Sequence, residues 1–189
     1  MLILACIILS FVNSEDDTRE YVIHKDALIG FKASQYTVYD RNEKHIRYRI
    51  ESDYGLTQNV KMIAYPSKQE VGRLQAEFRL FLYKAKISSF DPKINQRNNG
   101  SIEQKLKLPG GLFYINSHGH RIKGEIDEFS LTTKFYNEYG KLIAQIRKRH
   151  RFAWKMKYDM NIYYSNKYPD QIFLLGLAAY DRFKAANGK

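Results

Sequence analysis

The chain has 189 residues, and its 31 lysines and arginines exceed its 20 aspartates and glutamates, which gives a formal charge of +11. The length fits a single domain, and a content of 44% hydrophobic residues excludes global disorder because it is enough to form a core. One cysteine excludes a disulfide framework or a cysteine-based metal site, while the positive charge favours anionic partners such as phospholipid headgroups or nucleic acid.

The first segment in chain order, Met1–Val12, is apolar and uncharged and is followed by Asn13, Ser14 and three acidic residues. It is too short to cross a bilayer core of about 30 Å, which needs about 20 residues. It fits the apolar part of a signal peptide, although no lysine or arginine precedes it. The alternatives are a buried N-terminal strand or a translation start assigned slightly wrongly. We predict a signal peptide over 1–14 and one domain over 15–189, secreted if the leader is cleaved and otherwise cytoplasmic or peripheral to a membrane.

Alternation of apolar and polar side chains dominates the rest of the chain and predicts β-strands. In Ile46–Ile50 the apolar residues alternate with arginines. Further strands are predicted over Gln75–Lys86, which is rich in Phe, Leu and Tyr, and over Lys155–Tyr164, where the alternation is regular. The polar segment Asn95–Ser101 is expected to form a loop, in which Asn99 of an Asn-Gly-Ser triplet is a candidate glycosylation site.

A short pattern occurs three times, over Val38–Ile46, Tyr114–Ile122 and Phe135–Ile143. Each copy has two apolar residues, an Asp or Asn, two variable residues, Gly or Glu, and a basic residue or histidine before the return to apolar residues. This order is typical of a strand, a turn opened by a side-chain acceptor, and a return strand. Successive hairpins predict a meander of strands, and closing a meander into a barrel removes its exposed edges.

The C-terminal segment breaks this pattern. Asp170 can cap a helix that begins at Gln171, and apolar residues cover every face of that helix up to Tyr180. A helix from Asp170 to Lys184 would be about 22 Å long, too short to cross a bilayer comfortably. A helix that is apolar all round is otherwise buried in protein, so we predict that it threads the barrel and that Leu175 lies in the core.

Together, the repeated hairpin, the segment FYNEYGKLIAQIRKRHRFAWKMKYDMNIYY and the final DQIFLLGLAAYDRF resemble LURP-one-related proteins. This family belongs to the tubby C-terminal-like group, which also includes the phospholipid scramblases. The resemblance covers about Tyr21 to Ala186 and implies a mainly β fold, a closed antiparallel β-barrel of about twelve strands around a buried C-terminal helix. It also implies phosphoinositide binding on a basic outer surface, as in tubby domains, although LURP-one-related members largely lack an assigned biochemical activity.

The sequence departs from its scramblase relatives in three respects. It has no Pro-rich amino-terminal region, no cysteine cluster for acylation, and no paired aspartates for calcium in the stretch before the helix. Scramblase activity is therefore the weaker inference. A secretory leader would also be unusual in a group regarded as mainly intracellular.

Catalytic motifs are absent from the sequence: it has no nucleophile elbow, phosphate-binding loop, dinucleotide fingerprint or zinc-protease motif. The close histidine pair His118 and His120 has the spacing of a weak metal chelate, but it also occupies the turn of the second hairpin and fits an exposed tip. We predict a protein that is not an enzyme and that needs neither a cofactor nor a metal.

The basic run Arg147–Arg151 follows the apolar strand Leu142–Ile146. If that strand continues, alternate arginines project from one face, and lysines of the next strand extend the patch. We predict that this patch binds anionic phospholipid headgroups through Arg147, Lys148, Arg149, Arg151, Lys155 and Lys157. The alternatives are a solvated barrel exterior, a protein-interaction scaffold and a secreted small-ligand carrier. Nucleic acid is not expected, because the aromatic residues between the cations would point into the barrel and could not stack on bases.

Overall fold

The computed structural model describes residues 18–26, 35–53, 57–91, 95–107, 109–127, 129–149, 156–164 and 167–187. The expected signal peptide lies outside these residues, as do Arg151 and Lys155. The strands in the described residues are β1 Arg19–Lys25, β2 Tyr36–Asp40, β3 Ile46–Asp53, β4 Asn59–Ala64, β5 Glu70–Ala76, β6 Lys84–Asp91, β7 Gln96–Lys105, β8 Gly111–Ser117, β9 His120–Asp127, β10 Thr132–Tyr136, β11 Leu142–Lys148 and β12 Met156–Ile162. The described residues contain one helix, α1, which spans Asp170–Asn187.

The twelve strands form one closed antiparallel barrel. Each strand pairs with its neighbours in the chain, and β1 pairs with β12 from Arg19 opposite Ile162 to Lys25 opposite Met156. Closure leaves none of the described strands as an edge, which is the physical advantage that a meander gains by becoming a barrel. The predicted architecture, a mainly β barrel of about twelve strands with a buried C-terminal helix, is confirmed.

The three repeats are confirmed as the hairpins β2–β3, β8–β9 and β10–β11. In the first, the Asp40 carboxylate accepts a hydrogen bond from the Lys44 backbone N–H at 2.9 Å. In the third, the Asn137 side-chain oxygen accepts from the Lys141 N–H at 2.9 Å. The second copy differs, since Asn116 donates instead to Ser101 on β7. The acceptor therefore fixes the longer turns, and the two-residue turn of β8–β9 does without it.

The Gly-or-Glu position of the repeat has one backbone requirement in all three hairpins. Glu43, Gly119 and Gly140 all have positive φ, at 57°, 71° and 75°. Glycine adopts this left-handed conformation without steric cost, whereas a glutamate does so less readily. The repeat therefore encodes a change of chain direction, and Glu43 takes on a conformation that glycine would adopt more cheaply.

Two local expectations were wrong. The segment Gln75–Lys86 is not one strand, because β5 ends at Ala76 and β6 begins at Lys84, with a connection over 77–83. Consecutive apolar residues there cannot all face the core of a two-sided strand, so the run leaves the sheet. Asn95–Ser101 is not a loop, because Asn99 lies within β7 and pairs with Ser88 on β6. Backbone pairing with β6, and with β8 from Gly100 onward, overrides the polar composition of this segment.

Helix α1 fills the interior of the barrel. Leu175 and Leu177 have exposed fractions of 0% and 1%, as predicted. The fit is close at Gly176, where an added Cβ would stand 3.1 Å from Ile115 on β8 and 3.3 Å from Phe135 on β10. Side chains from the helix and from the inward positions of the strands therefore form one continuous core.

Replacing Leu175 by aspartate tests this arrangement. The Leu175→Asp variant would carry an unpaired carboxylate in an apolar interior, and we expect the free energy of unfolding to fall by roughly 4–5 kcal/mol or more. Arg182→Ser, at an exposed position of the same helix, is the control and should change it by about 0.5 kcal/mol or less. Urea unfolding followed by circular dichroism measures both, and an unchanged midpoint for Leu175→Asp would contradict burial of the helix.

Candidate functional site

The first turn of α1 is held at one end of the barrel by a buried carboxylate. Asp170, whose side chain is 1% exposed, accepts hydrogen bonds from Arg19 at 3.0 Å, Tyr21 at 2.5 Å and Tyr48 at 3.1 Å. Burial, and then the Asp170 charge, raise the pKa of both tyrosines, so the phenols remain protonated donors at neutral pH. This end of the barrel is therefore built around a structural ion pair.

The last turns of α1 are held at the other end. Asp181 accepts a hydrogen bond from Lys25 at 2.5 Å and another from the Tyr36 hydroxyl. Arg19 and Lys25 are the first and last residues of β1, so the same strand anchors both ends of the helix. Because the helix occupies the interior, the surfaces left for ligands are the two barrel ends and the outer face.

We call the end at which α1 terminates the loop end; it carries the connections β5–β6, β7–β8 and β9–β10. Of the eight large apolar side chains that are exposed in the described residues, six lie at this end. Five of them are on loops and are 70–93% exposed: Phe78, Leu80, Phe81, Leu106 and Phe129. Single exposed apolar residues are ordinary, whereas several on successive connections of one rim are typical of an interaction surface.

The described members of the predicted basic patch do not share one environment. Arg147 is exposed on the outer face of β11 near the loop end and makes no ion pair with any described residue. Lys148, the next residue, faces the interior and lines a cavity. Arg149 binds Asp159 through two hydrogen bonds and lies 3.5 Å from Glu43, and Lys157 binds Glu43 at 2.8 Å.

Glu43, Asp159, Arg149 and Lys157 thus form a charge-compensated cluster on the outer face. His24 adds a 2.8 Å hydrogen bond to Glu43. The hydrogen bond that Lys157 donates is the main cause that lowers the pKa of Glu43, and the hydrogen bond that Arg149 donates to Asp159 is the main cause that raises the pKa of Arg149. Sequence reasoning missed this cluster, because Glu43 meets Lys157 across β1, a pairing that no local pattern encodes.

Other cations surround the loop end. Exposed ion pairs join Arg79 to Glu77, Lys84 to Glu103 and Lys107 to Glu125 at 3.0–3.3 Å. Such pairs are weak in water and can exchange partners with another anion. Lys134 is exposed on β10 and makes no ion pair within the described part of the chain. The rim therefore combines apolar loop tips with cations, some compensated and some not.

The remaining predicted sites lie elsewhere. Asn99 is exposed in β7, on a strand rather than in the expected loop. His118 is at the hairpin tip expected for it, where its Nδ1 is 2.8 Å from the Ser117 hydroxyl, and His120 lies 3.7 Å from Glu138. The described residues contain no group of three His, Cys, Asp or Glu side chains placed to hold a metal ion.

Comparisons with known proteins do not assign this chain to a family. No protein-family profile matches the sequence, and no curated protein matches it significantly. Across the described residues, no helix combines the length and apolar character needed to span a membrane. The loop end and its charges are therefore the features from which a function can be inferred.

The compensated cluster makes a pH-dependent contribution to stability. The Glu43 pKa is lowered from its ordinary 4.5, so the stabilisation is present above about pH 4.5 and is lost as the pH falls through the folded-state value. We expect Glu43→Gln to lower the free energy of unfolding by about 0.5–1 kcal/mol at pH 7, because the cluster is partly exposed. The difference from wild type should shrink below about pH 4.5.

The control for this comparison is Glu51→Gln. Glu51 lies on the outer face of β3 and makes no ion pair within the described residues. Its variant should stay within about 0.5 kcal/mol of wild type at neutral pH. Urea unfolding between pH 3 and 7 measures both variants, and equal losses in Glu43→Gln and Glu51→Gln at pH 7 would refute the role of the cluster.

Proposed function

We propose that this barrel binds the surface of anionic membranes through its loop end, with the exposed loop side chains in the interface and the nearby cations on lipid headgroups. The observation that carries the proposal is that Phe78, Leu80, Phe81, Leu106 and Phe129 project from three connections of one rim, the rim at which the basic segment of β11 ends. The resemblance to LURP-one-related and tubby-like proteins supports it, since tubby domains bind phosphoinositides.

The apolar side chains supply the first part of the binding energy. Full burial of a Phe or Leu side chain is worth about 1.5–3 kcal/mol, and insertion at the headgroup boundary recovers part of that. Five such side chains on loops can reach the boundary without disturbing the barrel, because none of them belongs to its core. Aromatic rings are also well suited to a boundary between apolar and aqueous phases.

The cations supply the second part of the binding energy. A lysine or arginine near an anionic bilayer contributes about 1 kcal/mol, and this contribution falls with added salt. Arg147 and Lys134 make no ion pair among the described residues, so phosphate has no salt bridge to displace there. Each nevertheless has an acidic cross-strand neighbour, Asp159 opposite Arg147 and Glu125 opposite Lys134. Arg149 and Lys157 already bind Glu43, and we assign them a smaller role than the sequence pattern indicates. We include Arg151 and Lys155 in the proposed headgroup-binding surface because they continue the basic run of the sequence.

Arginine suits headgroup recognition because its planar guanidinium can donate two parallel hydrogen bonds to phosphate oxygens. Charge alone does not separate phosphatidylserine from a phosphoinositide, so the vesicles must include both lipids. A protein-interaction scaffold would use the same exposed loops, and the absence of vesicle binding would favour it.

The loop residues are tested by co-sedimentation with vesicles. Wild-type protein should sediment with phosphatidylcholine vesicles containing either phosphatidylserine or phosphatidylinositol bisphosphate. The triple variant Phe78→Ser, Phe81→Ser and Phe129→Ser should lose at least tenfold in apparent affinity, since each ring contributes on the order of 1 kcal/mol at the interface. Tyr139→Ser, an equally exposed aromatic at the opposite end, should bind as wild type does. Equal binding by the triple variant and wild type would exclude the loop end as the contact surface.

The charge contribution has its own matched pair of variants. Arg147→Gln should weaken vesicle binding by up to about fivefold at low salt, the equivalent of about 1 kcal/mol. Lys68→Gln removes the same charge from the exposed turn between β4 and β5 at the opposite end and should change binding little. The same sedimentation assay at low and physiological salt measures both. An identical effect of the two variants would mean that net charge, rather than this surface, governs binding.

A further inference from the structure

A cavity of about 230 Å³ opens at the loop end between α1 and the inner face of β10, β11 and β12. Its apolar lining includes Leu131, Ile146, Met156 and Leu177. It also holds the side chain of Lys148 and is separate from the loop tips assigned to membrane contact. A concave site lined by apolar side chains and a small number of polar groups is the usual form of a small-molecule site.

Strand alternation explains why a lysine reaches this cavity. Ile146 and Lys148 are two residues apart on β11 and share its inner face, while Arg147 between them faces outward. Lys148 lies directly opposite Tyr158 of β12, which also lines the cavity. The inward positions of the barrel are otherwise mostly apolar, so a lysine here places one ammonium group beside an apolar surface.

The charges of the cavity do not cancel. It is lined by two lysines and one aspartate: Lys25 binds Asp181 at 2.5 Å, and Asp181 also accepts from the Tyr36 hydroxyl. Lys148 makes no ion pair within the described residues. The described lining therefore has one uncompensated positive charge, and an ammonium group in an apolar recess is stabilised by an anion.

We infer that this cavity binds a small amphipathic carboxylate, with the carboxylate on Lys148 and a short aliphatic chain against Leu131, Ile146 and Leu177. The volume is below that of most drug-sized pockets, which favours a short chain over a diacyl lipid. The lining has one uncompensated positive charge, which matches the single negative charge of a carboxylate rather than the two charges of a phosphate dianion. The inference does not depend on membrane binding.

Calorimetric titration of the whole chain with octanoate, without vesicles, tests the inference. We expect saturable binding of one octanoate per chain and at least tenfold weaker binding of octanamide, which has the same chain without the charge. Butyrate should also bind more weakly than octanoate, because it buries less apolar surface. Vesicle sedimentation reports the loop surface separately, so failure of one proposal leaves the other measurable.

The variants separate the inner face of β11 from its outer face. Lys148→Met should weaken octanoate binding at least tenfold, and Lys148→Arg, which keeps the charge, should weaken it less than threefold. Arg147→Met removes the neighbouring outward charge and should leave it unchanged. If Lys148→Met does not fold, the octanamide comparison and Lys148→Arg still decide the question. Absence of octanoate binding to wild type, or equal binding of octanoate and octanamide, would overturn the inference.

Discussion

The buried carboxylate of Asp170 is the constraint on which the rest of the structure depends. It ties the start of α1 to Arg19 and Tyr21 of β1 and to Tyr48 of β3, and removing a partner from such a group leaves a charge without its hydrogen bonds in a water-poor site. The strand that supplies two of these donors also closes the barrel against β12. One interaction therefore couples the position of the helix to the closure of the sheet.

Filling the barrel with α1 determines where a ligand can bind. The helix buries its apolar residues from Ile172 to Ala179, which leaves no open lumen of the kind that a lipocalin-type carrier uses. Residues that recognise another molecule must then lie at a barrel end or on the outer face. Adjacent residues of β11 serve both places, since Arg147 points to solvent and Lys148 to the cavity beside the end of the helix. A basic run read as one patch is in fact divided by the pleat of the strand.

Local chemistry made much of the fold predictable from the sequence. The hairpin turns follow from Asp40, Asn137 and the positive-φ positions, and the helix follows from its apolar faces, because each of these signals lies within a few residues. The candidate site was less predictable from the sequence. The pairing of Glu43 with Lys157 joins residues 114 apart in the chain, and the loop over 77–83 has the composition of a strand. Register across a closed barrel, rather than composition, decides which charges are compensated.

The composition of the core also explains why the loop side chains are exposed. Because α1 and the inward strand positions form the core, Phe78, Phe81 and Phe129 on the loops lie outside it. Leaving them in water forgoes about 1.5–3 kcal/mol each relative to burial, and such surfaces favour self-association unless another phase covers them. A partner that is apolar and anionic at once satisfies both the rings and the neighbouring cations, and the surface of an anionic bilayer has this combination.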